Sequence, residues 1–154
     1  MPMISDPYLD FDRTVNRLIE EHKAHKSLLI AVDFDYTITN FNDSNYKFNK
    51  LVQLVKDAKN KINATIIVFT ANSNNELINE VFLKDLGFLP DFINESPVKF
   101  KTSKIYYNLL LDDRAGLSSA YNTLQLVINM LLDSNVEINP TQQLIKLFHK
   151  GQKC

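Results

Sequence analysis

The sequence has few of the features that mark a special class of protein. Its 154 residues hold one cysteine, Cys154 at the last position, so no disulfide can form within the chain and a reducing compartment is the natural setting. An excess of one charge is also missing. The 17 Lys and Arg against 18 Asp and Glu leave a formal net charge of -1, which gives no general attraction to nucleic acid. No apolar run approaches the ~20 residues of a membrane span. The first residues bring acids, Pro2 and Pro7 where a secretory leader needs a basic start and an apolar stretch. A cytoplasmic protein with no membrane partner is expected. There is no zinc-type ligand spacing, internal repeat, low-complexity tract or linker, and His22, His25 and His149, which lack partner spacing, read as solvent-exposed. What is left is ordinary: 45% hydrophobic and 23% charged, at a length that suits one domain burying about two thirds of its unfolded surface.

Within that domain, 1–154, a helix over about 6–25 is expected to pack on a core of about 28–149. Asp6 can cap the helix with Pro7 at its first position, and Tyr8, Phe11, Val15, Leu18 and Ile19 give it an apolar face. A strand Leu28 to Val32 follows, then a polar loop around Asn40 to Asn45 and a helix from about Lys47 to Lys61 with Leu51, Leu54, Val55 and Ala58 on one side. Ala64 to Phe69 reads as a second strand ending at Thr70. Ser73 and Glu76 match the capping box of a helix that runs to about Leu86 and stops at Gly87. Phe88 to Ile93 can give a short strand, Asn94 to Ser103 a loop, and Ile105 to Leu111 a third strong strand. A long helix from about Ala115 to Leu132 comes next, then an edge strand at Val136 to Ile138 and a last helix begun by Pro140. Strands that alternate with helices and are apolar throughout predict an α/β fold: a three-layer, Rossmann-like arrangement with a mostly parallel sheet covered on both faces. Ligands in such folds bind beyond the carboxyl ends of the strands.

Those ends are where the polar residues collect. Asp33 and Asp35 follow the first strand, Thr70 the second, and Asp112 and Asp113 the third. Carboxylates inside an apolar run would be costly to bury without a charged partner. Brought together by parallel strands, these four would raise one another's pKa unless a cation joined them, and a hard divalent ion such as Mg²⁺ suits oxygen ligands.

The run Asp33-Phe-Asp-Tyr-Thr37 after an apolar strand, Thr70 after another, a lysine, and Asp112-Asp113 after a third resembles, over about Leu28 to Leu117, the four ordered motifs of the haloacid dehalogenase superfamily. That resemblance implies a phosphatase or phosphotransferase in which Asp33 attacks phosphorus and forms an aspartyl-phosphate. Asp35 would protonate the leaving oxygen and then activate water, while its backbone carbonyl helps to hold Mg²⁺. Thr70 would donate its hydroxyl to a phosphoryl oxygen. The motif's cation is one of Lys99, Lys101 and Lys104, with Lys104 favoured on its spacing to the aspartates and Lys101 next. Of the fourth motif, Asp113 is the expected inner metal ligand, with Asp112 standing behind it or orienting the lysine.

Two departures from the pattern stand out: Tyr36 occupies a position where many members have glycine, and the stretch between Lys99 and the third strand is short for the helix that often carries the lysine. Neither Thr39 to Ile62 nor Asn72 to Ser103 has room for a sizeable cap domain, so an open site is expected, with a small phosphorylated molecule, a nucleotide or a nucleic-acid end as substrate. A 5′-nucleotidase, a nucleic-acid 3′-end phosphatase and a non-catalytic module that keeps the fold are the alternatives. A dehalogenase is disfavoured, because those members generally lack the acid at Asp35. Plainer roles exist for single residues. Asp-x-Asp, Thr70 and Asp112-Asp113 could be turn or helix caps, Lys104 a strand-edge charge, Arg114 a salt-bridge partner of the acids, and Tyr36, Tyr46, Tyr106 and Tyr107 rim or core aromatics.

Overall fold

Two tetrads and one triad, Leu29–Val32, Thr65–Val68 and Leu109–Leu111, apolar but for Thr65, supply three of the four strands of a parallel sheet, and everything else is arranged around them. The computed structural model describes residues 6–40, 48–133 and 148. In chain order the elements are α1 (Phe11–His25), β1 (Leu29–Val32), α2 (Asn49–Ile62), β2 (Thr65–Val68), α3 (Asn75–Val81), β3 (Phe92–Ile93), β4 (Leu109–Leu111) and α4 (Leu117–Leu132). The edge strand at 136–138, the helix from Pro140, Tyr46, His149 and most of the polar loop at 40–45 lie outside the described residues.

The sheet order is β3-β2-β1-β4, with every pairing parallel. Alternation along β1 and β2 sends Ile30, Val32, Ile66 and Val68 to the face that joins the main core with Val15, Leu18, Leu54, Val55, Leu124 and Val127 from the helices. Ala31 and Ile67, on the other face, are also fully buried. Burial on both faces is what makes these strands apolar without interruption. On the core side α4 packs against α1, α2 and β4. The chain steps outward from β1 to β2 to β3 and then returns past β1 to β4, which places a topological switch point between β1 and β4. Among the described residues no cap domain stands over the strand ends, and no helix is long and apolar enough to cross a membrane.

Several boundaries differ from those expected. Asp6 closes a turn, accepting from the Tyr8 and Leu9 N–H groups at 2.9 and 3.0 Å, while Asp10 caps α1 by accepting from Arg13 N–H at 3.1 Å. Tyr8 and Leu9 are exposed, so no packing holds an earlier first turn, and the helix begins where its buried face begins. Asn74, not Ser73, caps α3 by accepting from Leu77 N–H at 3.1 Å. The helix then widens into a π turn over Phe82–Leu86, which keeps Phe82 and Leu86 buried alongside Ile78, and Gly87 ends it at φ 83 as expected. The ladder of β4 starts only at Leu109, because Asn108 takes both polar groups of Leu29: its side-chain oxygen accepts the Leu29 N–H at 2.8 Å and its own N–H donates to the Leu29 carbonyl at 2.7 Å. His22 is half-buried rather than solvent-exposed, with Nε2 2.8 Å from the Ile62 carbonyl. His25 is exposed, beside Glu21.

Asp91 ties β2 to the helix layer. One carboxylate oxygen accepts from the Ile66 N–H at 2.8 Å, and Lys59 of α2 donates to both oxygens at 2.9 and 2.7 Å. Replacing Asp91 with Ala strands a partly buried N–H and is expected to cost about 1–3 kcal/mol in urea unfolding. Asp91→Asn keeps an acceptor for Ile66 and should lose clearly less; equal losses would show that the N–H bond contributes nothing.

Candidate functional site

Beyond Val32 the sheet ladder runs on for one more step. Asp33 N–H donates to the Leu111 carbonyl at 2.9 Å, and Phe69 N–H donates to the Val32 carbonyl at 2.9 Å. Extending the register past Val32, Val68 and Leu111 therefore sets Asp33 between Phe69 on one side and Asp112 on the other. The chain then turns back tightly. The Phe34 carbonyl accepts from the Ile38 and Thr39 N–H groups at 3.0 and 3.2 Å, and the Phe34 ring is buried in the core as the anchor of this loop.

The turn brings Thr37 back under the strand end. Its hydroxyl is fully buried and lies 3.2 Å from both Asp33 Oδ2 and Asp113 Oδ1, while it accepts the Asp113 N–H at 3.1 Å. A single hydroxyl proton is shared between two carboxylates. Asp33, Asp112 and Asp113 each bring an oxygen to within 4.8 Å of the others. These are acceptor-only groups when ionised, so nothing within the trio can neutralise it. Burial, followed by the Asp113 hydrogen bond and the Asp112 charge, pushes the Asp33 carboxyl up from its ordinary 3.8 to about 6, against the opposing bonds from Phe34 and Thr37. Converging hard oxygen donors with no internal counter-charge fit a divalent cation such as Mg²⁺.

The other expected residues fall around this trio. Asp35 lies outside the clustered carboxylates; its Oδ1 accepts from Asn72 Nδ2 at 3.2 Å. Tyr36, whose N–H donates to the Thr39 carbonyl at 2.7 Å, has φ 61, a left-handed conformation that favours glycine. Thr70 follows β2; its N–H donates to Asn94 Oδ1 at 2.8 Å and its hydroxyl accepts from Asn72 N–H at 3.0 Å, leaving the hydroxyl proton to donate elsewhere. Lys104 is exposed and lines a cavity together with Phe69, and among the described residues none of Lys99, Lys101 and Lys104 forms an ion pair with the three carboxylates. Arg114 meets Asp112 through its backbone N–H, at 2.9 Å from Oδ1, rather than through an ion pair. Sequence reasoning gave Thr37 no role. Its place in the Asp33 to Thr37 run was visible, but the fold of the loop that buries its hydroxyl was not.

No protein-family model and no curated protein matches the chain. Among solved structures, a conserved protein from Bacteroides thetaiotaomicron is similar at 18% identity and a TM-score of 0.51, covering 73% of this chain and 96% of that one. At that identity the likeness concerns the fold.

Thr37→Val keeps the shape but removes the bridge between loop and β4. The orphaned Asp113 N–H should cost about 1–3 kcal/mol of unfolding free energy. A loss under a few tenths would show that Thr37 is not a strut. Linkage gives a second expectation. The folded state holds a proton on Asp33 up to about pH 6 and the unfolded state only to 3.8, so this group's contribution to stability falls as pH rises through that window. Asp33→Asn cannot ionise. Without added metal, its melting temperature relative to the unmodified protein should climb between pH 4 and pH 6.5, and a flat difference would contradict the raised pKa.

Proposed function

We propose that this chain is a Mg²⁺-dependent phosphatase of the haloacid dehalogenase type, hydrolysing a phosphate monoester through an aspartyl-phosphate on Asp33. The observation that carries the reading is the meeting of Asp33, Asp112 and Asp113 at the switch point between β1 and β4, in the order that the motif resemblance requires. Asp33 and Asp113, with Asp112 beside them and the Asp35 backbone carbonyl, would hold the metal, which supplies charge neutralisation between an anionic nucleophile and an anionic phosphoryl group.

The protein groups divide the work. A carboxylate oxygen of Asp33 forms a bond to phosphorus as the ester oxygen leaves with a proton from Asp35. Asp35, now ionised, takes a proton from water, whose oxygen attacks phosphorus and releases phosphate and the free Asp33 carboxylate. Asn72, bonded to Asp35, fixes where that proton is held. The Thr70 hydroxyl donates to a phosphoryl oxygen, and Lys104, or Lys101 in its place, adds positive charge at the same centre. With no cap over the described strand ends, a phosphorylated substrate reaches Asp33 from the open edge.

The test is turnover of an aryl phosphate with saturating Mg²⁺. Asp33→Asn should fold and lose nearly all activity, and chelation of the metal should do the same. Asp35→Asn should accumulate phosphoenzyme and slow by about 10²–10⁴-fold. Retention of more than a few per cent of the rate by Asp33→Asn would remove Asp33 as nucleophile.

A further inference from the structure

The cross-strand neighbour of Asp33 on the side away from Asp112 is Phe69, which lies one strand spacing away, about 5 Å. Phe69 is 40% exposed although the three residues before it, Ile66, Ile67 and Val68, are fully buried. With Ser103, Lys104, Ile105, Tyr106 and Tyr107 it lines a cavity of about 480 Å³, within the range of about 300–1,000 Å³ usual for small-molecule sites. The wall is built rather than loose. Tyr106 N–H donates to Ser96 Oγ at 3.1 Å, and the Phe100 ring packs edge-on to the Tyr106 ring at 5.9 Å.

Half of this lining is aromatic, and the rest includes a hydroxyl and an ammonium. Rings offer flat apolar faces, while the Ser103 hydroxyl can donate to or accept from a polar edge, the Lys104 ammonium being kept for the phosphoryl group. A sugar phosphate would offer the rings only C–H contacts in place of a flat π face, and a plain phenyl ester would leave the hydroxyl unused. A nucleobase satisfies both. We propose that this cavity is the leaving-group pocket and that it stacks a nucleobase, so that the substrate is a nucleoside monophosphate whose phosphorus lies at Asp33. The proposal rests on the phosphatase reading for its chemistry and on the cavity alone for its binding.

The experiment compares kcat/KM for AMP, GMP, CMP and UMP with that for ribose 5-phosphate, which carries the same ester without the base. At least one nucleotide should be favoured about ten-fold or more, the scale of one base–aromatic stack. Phe69→Leu and Tyr107→Leu keep apolar bulk but lose the ring, and each should bring the ratio of nucleotide to ribose 5-phosphate close to one, with folding checked by circular dichroism. Tyr107→Phe should keep it. A ratio near one in the unmodified protein, a ratio unmoved by the leucine variants, or a preference for phosphotyrosine over every nucleotide overturns the pocket. If neither substrate turns over, the phosphatase reading fails instead, and calorimetric titration with adenosine and uridine judges the pocket separately: binding that Tyr107→Leu abolishes supports it, and no binding overturns it.

Discussion

The convergence of Asp33, Asp112 and Asp113 on one partly buried strand end is the constraint around which this end of the molecule is organised. Parallel pairing of β1 and β4 leaves no choice about the first contact, since the register that aligns Val32 with Leu111 also aligns Asp33 with Asp112. The ladder bond from Asp33 N–H to the Leu111 carbonyl then fixes that proximity to the core of the sheet. Stability gained by burying apolar strands is thereby spent on holding like charges together. The raised pKa of Asp33 reflects burial first, then the Asp113 hydrogen bond and the Asp112 charge, and a cation is a partner that would offset all three.

The loop after β1 carries a second cost of the same kind. Tyr36 sits in the left-handed region, which disfavours a non-glycine residue by about 1–2 kcal/mol. Relaxing it would unwind the turn whose hydrogen bonds to the Phe34 carbonyl bring Thr37 beneath the acids. The Phe34 ring, wholly buried, resists that unwinding from the core side. Strain, repulsion and a buried hydroxyl therefore occupy one short stretch, and they are sustained by the hydrophobic burial on either side of it. At the far end of the strands Lys26 and Asn63 are also left-handed, as the C-caps of α1 and α2, but among the described residues no carboxylate cluster joins them there, and Asn108 and Leu29 satisfy each other.

What the sequence revealed follows from which features are periodic. The apolar strands, the parallel sheet and the placement of Asp33, Thr70, Asp112 and Asp113 at one edge were legible because period and polarity report burial directly. Boundaries were less so. Asp6 and Asp10 are equally good caps in isolation, as are Ser73 and Asn74, and only packing of Phe11 or of Ile78 decides between them. The strand expected from Ile105 shortened because a side-chain amide competed with the ladder, an event with no periodic signature. Thr37 and Asn72 were missed for a related reason. Their roles depend on where a loop folds back, which is set by contacts between residues up to 76 positions apart.

The register that creates the acidic cluster also gives the site its polarity. Asn94, Phe69, Asp33 and Asp112 continue the rows of β3, β2, β1 and β4 by one residue each, joined by the bonds from Asn94 to Val68, Phe69 to Val32 and Asp33 to Leu111. Across this row the chemistry changes from amide to aromatic to carboxylate. Under the proposed reading, an anion held by a cation at the Asp112 end would place what it carries either out in solvent or over Phe69, which lines the neighbouring cavity. Only the second choice is rewarded by burial of an exposed ring. The same parallel pairing that brings the carboxylates together therefore orders the edge, and under the proposed phosphatase reading it would set the phosphoryl position on the acidic side and the leaving group on the aromatic side.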